Sequence, residues 1–172
     1  MVYFRGGKAG RFTYFQADVM DKAQILRGIL DRLTAEFEAD RATSKMTRAA
    51  SNDAETKSEG KYDTRSTEEN YLADGLAKKA FAAAQAAKAY RDLPGENFGP
   101  DQPIDVGALV ELSFDGEQAW FFLGPAAGGI EIECEGQLVT VITRGSPLGD
   151  QIYRKKTGHW TSAPRAKIES VQ

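Results

Sequence analysis

Between residues 51 and 63 the chain reads Ser51-Asn52-Asp53-Ala54-Glu55-Thr56-Lys57-Ser58-Glu59-Gly60-Lys61-Tyr62-Asp63, a polar stretch rich in carboxylates. Acids on an exposed turn have two uses. They hold water, as most surface carboxylates do, or they present hard oxygen ligands to a divalent cation. On a continuous helix Glu55 and Glu59 stand four apart and share a face, with Asp53 close by as a third donor. Lys57, Lys61 and Arg65 interleave positive charge with these acids. That alternation either meets an anionic partner or belongs to a solvated helix surface.

Two arms must position this stretch. Before it lie Leu26, Ile29, Leu30, Leu33 and Phe37; after it lie Leu72, Leu76, Ala80, Ala83, Ala87 and Tyr90. Both sets recur at steps of three and four, the pattern of an apolar seam along a helix. Two such helices joined by a short polar connection bury their seams by folding back on each other, with the carboxylates at the far end. Asp18 is a plausible N-cap for the first helix, and Asp21 sits where the helix dipole favours an acid. Leu93-Pro94-Gly95 stops the second. The stretch from Leu26 to Glu55 spans on the order of 40 Å at a rise of ~1.5 Å per residue. A pair of helices this slender is marginal alone, so a second element should anchor its base. Such a shape reaches into something; it does not enclose a ligand.

The expected organisation is an extension over residues 1–19, a helical hairpin over 20–93, a linker over 94–105 and a second domain over 106–172. Residues 1–19 mix Arg5, Lys8 and Arg11 with Tyr3, Phe4, Phe12, Tyr14 and Phe15. This composition either binds nucleic acid by stacking and charge or is an upstream extension with Met20 as the true start. The linker holds Pro94, Pro100 and Pro103. Beyond it the chain reads as β. Residues 108–114 alternate and turn at Asp115-Gly116 into residues 118–123; residues 130–134 alternate and turn at Glu135-Gly136 into residues 137–142. Ser146 before Pro147 signals the N-terminus of a short helix, and residues 167–171 suit a last strand. A small antiparallel sheet with one covering helix is expected. Trp120, Phe121 and Phe122 are consecutive, so at least one leaves a simple sheet face. Either an aromatic such as Trp120 is exposed as a docking anchor, or both faces are covered.

Composition bounds the chemistry. The 172 residues are 41% hydrophobic and 27% charged, as in ordinary globular domains. A formal net charge of -3 argues against a chain whose main role is coating nucleic acid. With Cys134 and His159 the sole residues of their kinds, neither a disulfide nor a Cys/His zinc site can form within the chain. No apolar run approaches the ~20 residues of a membrane span. A reducing, cytoplasmic setting and a monomer are expected.

With these parts in place the chain resembles the GreA/GreB family of bacterial transcript-cleavage factors, in a divergent branch. One carrier is Lys57-Ser58-Glu59-Gly60-Lys61-Tyr62-Asp63-Thr64-Arg65 followed by Glu69-Asn70-Tyr71-Leu72, similar to the family's acidic tip. The other is Val141-Ile142-Thr143-Arg144-Gly145-Ser146-Pro147-Leu148-Gly149, similar to its Ser-Pro helix. The likeness covers roughly residues 21–158. It implies an α+β fold: an N-terminal antiparallel coiled-coil hairpin, then a small FKBP-like antiparallel β domain with a short helix.

The resemblance also implies a function. Such factors bind RNA polymerase, insert the coiled coil into its secondary channel and stimulate its Mg²⁺-dependent cleavage of backtracked RNA, touching the nascent 3′ end indirectly. The factor is then no enzyme itself. Glu55, Glu59 and Asp53 become the tip acids, with Glu55 and Glu59 lending ligands to a Mg²⁺ shared with the polymerase and bound only in that complex. Lys57, Lys61, Arg65, Trp120, Ser146 and Pro147 become contacts to polymerase or RNA. The family places an Asp three positions before the Glu of its Ser-Glu pair, where this chain has Thr56, and Lys61 stands two positions after that Glu. These departures point to an alternative, a non-cleaving channel regulator of anti-cleavage or stringent-response type. An FKBP-like prolyl isomerase or chaperone module ranks below both.

Overall fold

A computed structural model describes residues 20–57, 64–95, 97–99 and 101–172. Two long helices, α1 (Lys22–Lys57) and α2 (Thr64–Arg91), precede the strands β1 (Leu109–Phe114), β2 (Glu117–Gly124), β3 (Glu131–Cys134) and β4 (Gln137–Thr143). A short helix α3 (Pro147–Ile152) and the strand β5 (Lys167–Val171) complete the chain.

The N-cap of α1 is Asp21: its Oδ1 accepts from the amides of Ala23 (2.9 Å) and Gln24 (3.1 Å). Asp18, the sequence-based candidate, lies outside the described residues. On α1 the seam runs through Ile25, Ile29 and Leu33, all buried. On α2 it differs from expectation by one residue. Leu72 is 58% exposed, whereas Ala73 is fully buried and begins a heptad series with Ala80 and Ala87. The reason lies across the interface, where the buried Ser44 hydroxyl donates to Ala73 O (2.9 Å). A hydrogen-bonded Ser opposite an Ala holds the backbones too close for a Leu.

The sheet order is β3-β4-β2-β1-β5. β1 pairs antiparallel with β2 and β5, and β3 with β4, but β2 pairs parallel with β4, Trp120 opposite Val139. The sheet is therefore mixed rather than wholly antiparallel. The crossover from β2 carries the chain past β4's place to the edge before it returns. Both tight turns are left-handed at two successive residues, Asp115-Gly116 (φ 52° and 97°) and Glu135-Gly136 (φ 52° and 76°), the geometry that matches strand twist.

Alternation along the strands separates two cores. Leu109, Phe122, Val139 and Val141 face the hairpin base, joining Ile25, Ile29, Leu33, Ala86, Ala87 and Tyr90. Val110, Leu112, Leu123 and Ile142 face the other way, joining Ile152 of α3 and Ile168 of β5. Both faces of the sheet are thus covered, and Trp120 is half-buried against the hairpin-side core.

Candidate functional site

The base of the hairpin is fixed to the sheet by specific contacts. Tyr90 Oη donates to Ala126 O (2.8 Å), and burial pushes this hydroxyl's pKa far above the usual tyrosine value. Gly28 lets β3 close in: a Cβ there would lie 2.8 Å from Ile132 Cγ2. The buried Cys134 thiol lies 3.5 Å from Gln24 Oε1 and 3.9 Å from Asp21 O. Burial first, then the charges of Glu135 and Asp21, raises its pKa, so it is held as a thiol and is a poor nucleophile.

Beyond the base the described parts of α1 and α2 pack against each other. A hollow shared with the sheet side is lined by Leu33, Glu36, Asp40, Lys79 and Ala86 with Ala126 and Ala127. From Asp40 to the end of α1 at Lys57 the hairpin runs on for roughly 25 Å at ~1.5 Å per residue. This distal part is secured by the Ser44 hydrogen bond and by the ion pair of Arg48 with Asp74 (2.6 Å). Met46, Tyr71, Leu72 and Phe81 are exposed along the hairpin.

Asp53, Glu55 and Lys57 lie on the last turns of α1, and Arg65 lies on the first turn of α2. Glu59 and Lys61 fall outside the described residues, while Thr56 lies on α1. Among the described residues no three His, Cys, Asp or Glu side chains form a cluster able to hold a metal. The carboxylate chemistry of these residue types suits a hard cation.

The remaining candidates lie at the other end of the molecule, some 50 Å away by the length of α1. Ser146 Oγ accepts from Gly149 N (3.1 Å) and donates to Thr143 O (2.8 Å), and Pro147 opens α3. Ser146 is thus committed to capping, while the Pro147 ring is exposed. The exposed tryptophan is Trp160, which strand alternation could not identify because it lies in a loop. No helix among the described residues is long and apolar enough to cross a membrane.

No protein-family model matches the chain, and no curated protein matches it in sequence. Among solved structures it is similar to GreA factor homolog 1 (Gfh1) of Thermus thermophilus, at 15% identity and a TM-score of 0.33, over 83% of this chain and 94% of that one. A structure of the transcription factor Gfh1 matches at 16% identity and a TM-score of 0.35, over 85% and 94%. Gfh1 of Thermus aquaticus matches at 16% identity and a TM-score of 0.34, over 85% and 95%. These values describe a remote similarity.

Proposed function

We propose that this chain is a transcription elongation factor that binds bacterial RNA polymerase in the cytoplasm, enters the secondary channel tip first and stimulates cleavage of backtracked RNA. The observation that carries this reading is the hairpin itself: about 25 Å of paired helix beyond the hollow shared with the sheet side, ending in the acid-bearing residues 51–63. A paired-helix projection of this length, ending in acids, fits a cavity of a partner. The two resembling motifs, at residues 57–72 and 141–149, name the partner.

In this reading the chain supplies ligands and the polymerase supplies the nuclease. Glu55 and Glu59 offer carboxylates to a Mg²⁺ ion that also needs polymerase and phosphate oxygens, since two exposed acids alone make a poor cage. Such an ion, when bound, stabilises the attacking and leaving oxygens of an in-line displacement. Asp53 adds negative charge to the tip. Lys57, Lys61 and Arg65 contact polymerase or RNA phosphate. Ser146 acts by fixing α3 and presenting Pro147, and Trp120 by holding the sheet against the hairpin.

Thr56 and Lys61 favour a second reading, in which the chain occupies the channel without delivering a competent ion. Cleavage of backtracked RNA in stalled elongation complexes separates the two. If the wild type accelerates cleavage and Glu55→Ala/Glu59→Ala does not, the tip acids recruit the ion. If the wild type binds polymerase yet slows intrinsic cleavage, the chain is a channel-occupying regulator. Failure to bind core polymerase at all sinks both.

A further inference from the structure

The acidic net charge conceals a segregated distribution. Between Arg144 and Lys167 stand six Lys and Arg residues against a single acid, Asp150, leaving sixteen Lys and Arg against twenty-four Asp and Glu elsewhere. The basic segment is one built lobe, comprising α3 and the loop returning to β5. Gln151 Nε2 donates to Ala163 O (2.6 Å), and Gln151 Oε1 accepts from Ser162 N (2.7 Å). Gly158 N donates to Ile168 O (2.7 Å). Arg154 takes a left-handed backbone (φ 63°), pinned where Arg154 N donates to Ile104 O (2.9 Å) and Ile104 N to Lys155 O (2.8 Å). Arg154 directly follows the α3 C-cap Tyr153, and this pairing fixes where Lys155 and Lys156 leave the fold.

Three guanidinium–ring contacts, on two rings, mark the lobe. Arg144 and Arg154 lie 4.0 and 5.0 Å from the centroid of the Tyr153 ring, and Arg165 lies 5.0 Å from that of Trp160. Trp160 is 56% exposed. Arg154 also pairs with Asp105 (3.1 Å) and Lys167 with Glu169 (2.9 Å). Among the described residues Arg144, Lys155, Lys156 and Arg165 have no carboxylate partner, and all four are exposed.

We propose that this lobe binds single-stranded nucleic acid, with Arg144, Lys155, Lys156 and Arg165 on backbone phosphates and Trp160 as a stacking surface for a base. Unpaired cations interleaved with an exposed aromatic form the footprint of such binding. An acidic polypeptide would satisfy the cations but has no use for the indole. The lobe sits at the opposite end of the molecule from the tip, so this binding stands or falls apart from the role in cleavage.

Fluorescence anisotropy of the full chain with labelled uridine and thymidine 12-mers tests it, the two sugars distinguishing RNA from DNA. Binding at 50 mM salt should weaken linearly on a log–log salt scale. Lys155→Gln/Lys156→Gln should reduce that slope by roughly 1.4, about 0.7 for each cation removed. Trp160→Ala should weaken binding roughly tenfold, the effect of about one stacked base. These side chains are exposed, so circular dichroism should show the variants folded. The proposal is overturned by absence of binding at 50 mM salt, or by affinities that neither variant changes. It is overturned equally if polyglutamate displaces the labelled strand as readily as unlabelled strand does, which assigns the lobe to an acidic protein surface.

Discussion

At Gly28 the usual effect of a helix glycine is reversed. Replacing a helical Gly by Ala ordinarily stabilises by about 1 kcal/mol. Here the new methyl would press on Ile132 Cγ2 of the neighbouring strand. Gly28→Ala should therefore lower stability by about 1–3 kcal/mol, and the same change should become stabilising once Ile132→Ala removes the obstacle. Urea midpoints of the two single variants and the combined one measure both signs. Tyr90 makes a second residue-scale test. Its hydroxyl holds its proton in the fold, while in the unfolded chain it ionises near pH ~10. Its contribution is therefore present below that pH and is lost as pH rises above it. Tyr90→Phe should cost about 1 kcal/mol at pH 7 through the lost bond to Ala126 O. Between pH 8 and 11 the variant's stability should fall less steeply than the wild type's, with the buried Cys134 thiol accounting for part of the remaining slope.

The two helices of the hairpin pair through small residues, and neighbouring positions on α2 should respond oppositely to substitution. Leu72→Ala should leave stability within ~0.5 kcal/mol, as for other exposed sites. Ala73→Leu should cost about 1–3 kcal/mol by forcing the helices apart. Thermal unfolding of both variants decides which residue lies in the seam. Period counting favours Leu72 because it is the larger apolar residue; what selects Ala73 is Ser44, distant in sequence. The same distinction runs through the rest of the fold. Ser146-Pro147, Asp115-Gly116 and Glu135-Gly136 are legible because caps and turns are decided by adjacent residues. The parallel pairing of β2 with β4 is not, because insertion of one strand between two others depends on the whole sheet. At the tip, carboxylate chemistry is readable from residue type. The run of basic residues over 144–167 is countable in the sequence, but its gathering with Trp160 into one lobe depends on the Gln151 and Ile104 hydrogen bonds.

Across the whole molecule, stability is graded along the hairpin. The base shares a core with the sheet, while among the described residues the distal helices bury Ala73, Ala80 and Ser44. Amide exchange should accordingly be slowest around Ile29 and Phe122 and faster by several orders of magnitude between Ala42 and Lys57, because outer turns open without disturbing the sheet. Mass-spectrometric exchange resolved by peptide reads this gradient, and uniform protection along α1 would contradict it. The contact of Ala73 with Ser44 also determines a gauge. Helices that touch through two small residues sit near the lower limit of interaxial distance, about 8 Å, and each is roughly 10 Å across. The distal hairpin is therefore an oval rod about 10 by 18 Å in section. Any aperture it enters must admit that oval, and enlarging one seam alanine would widen the rod along its long axis while leaving its chemistry untouched.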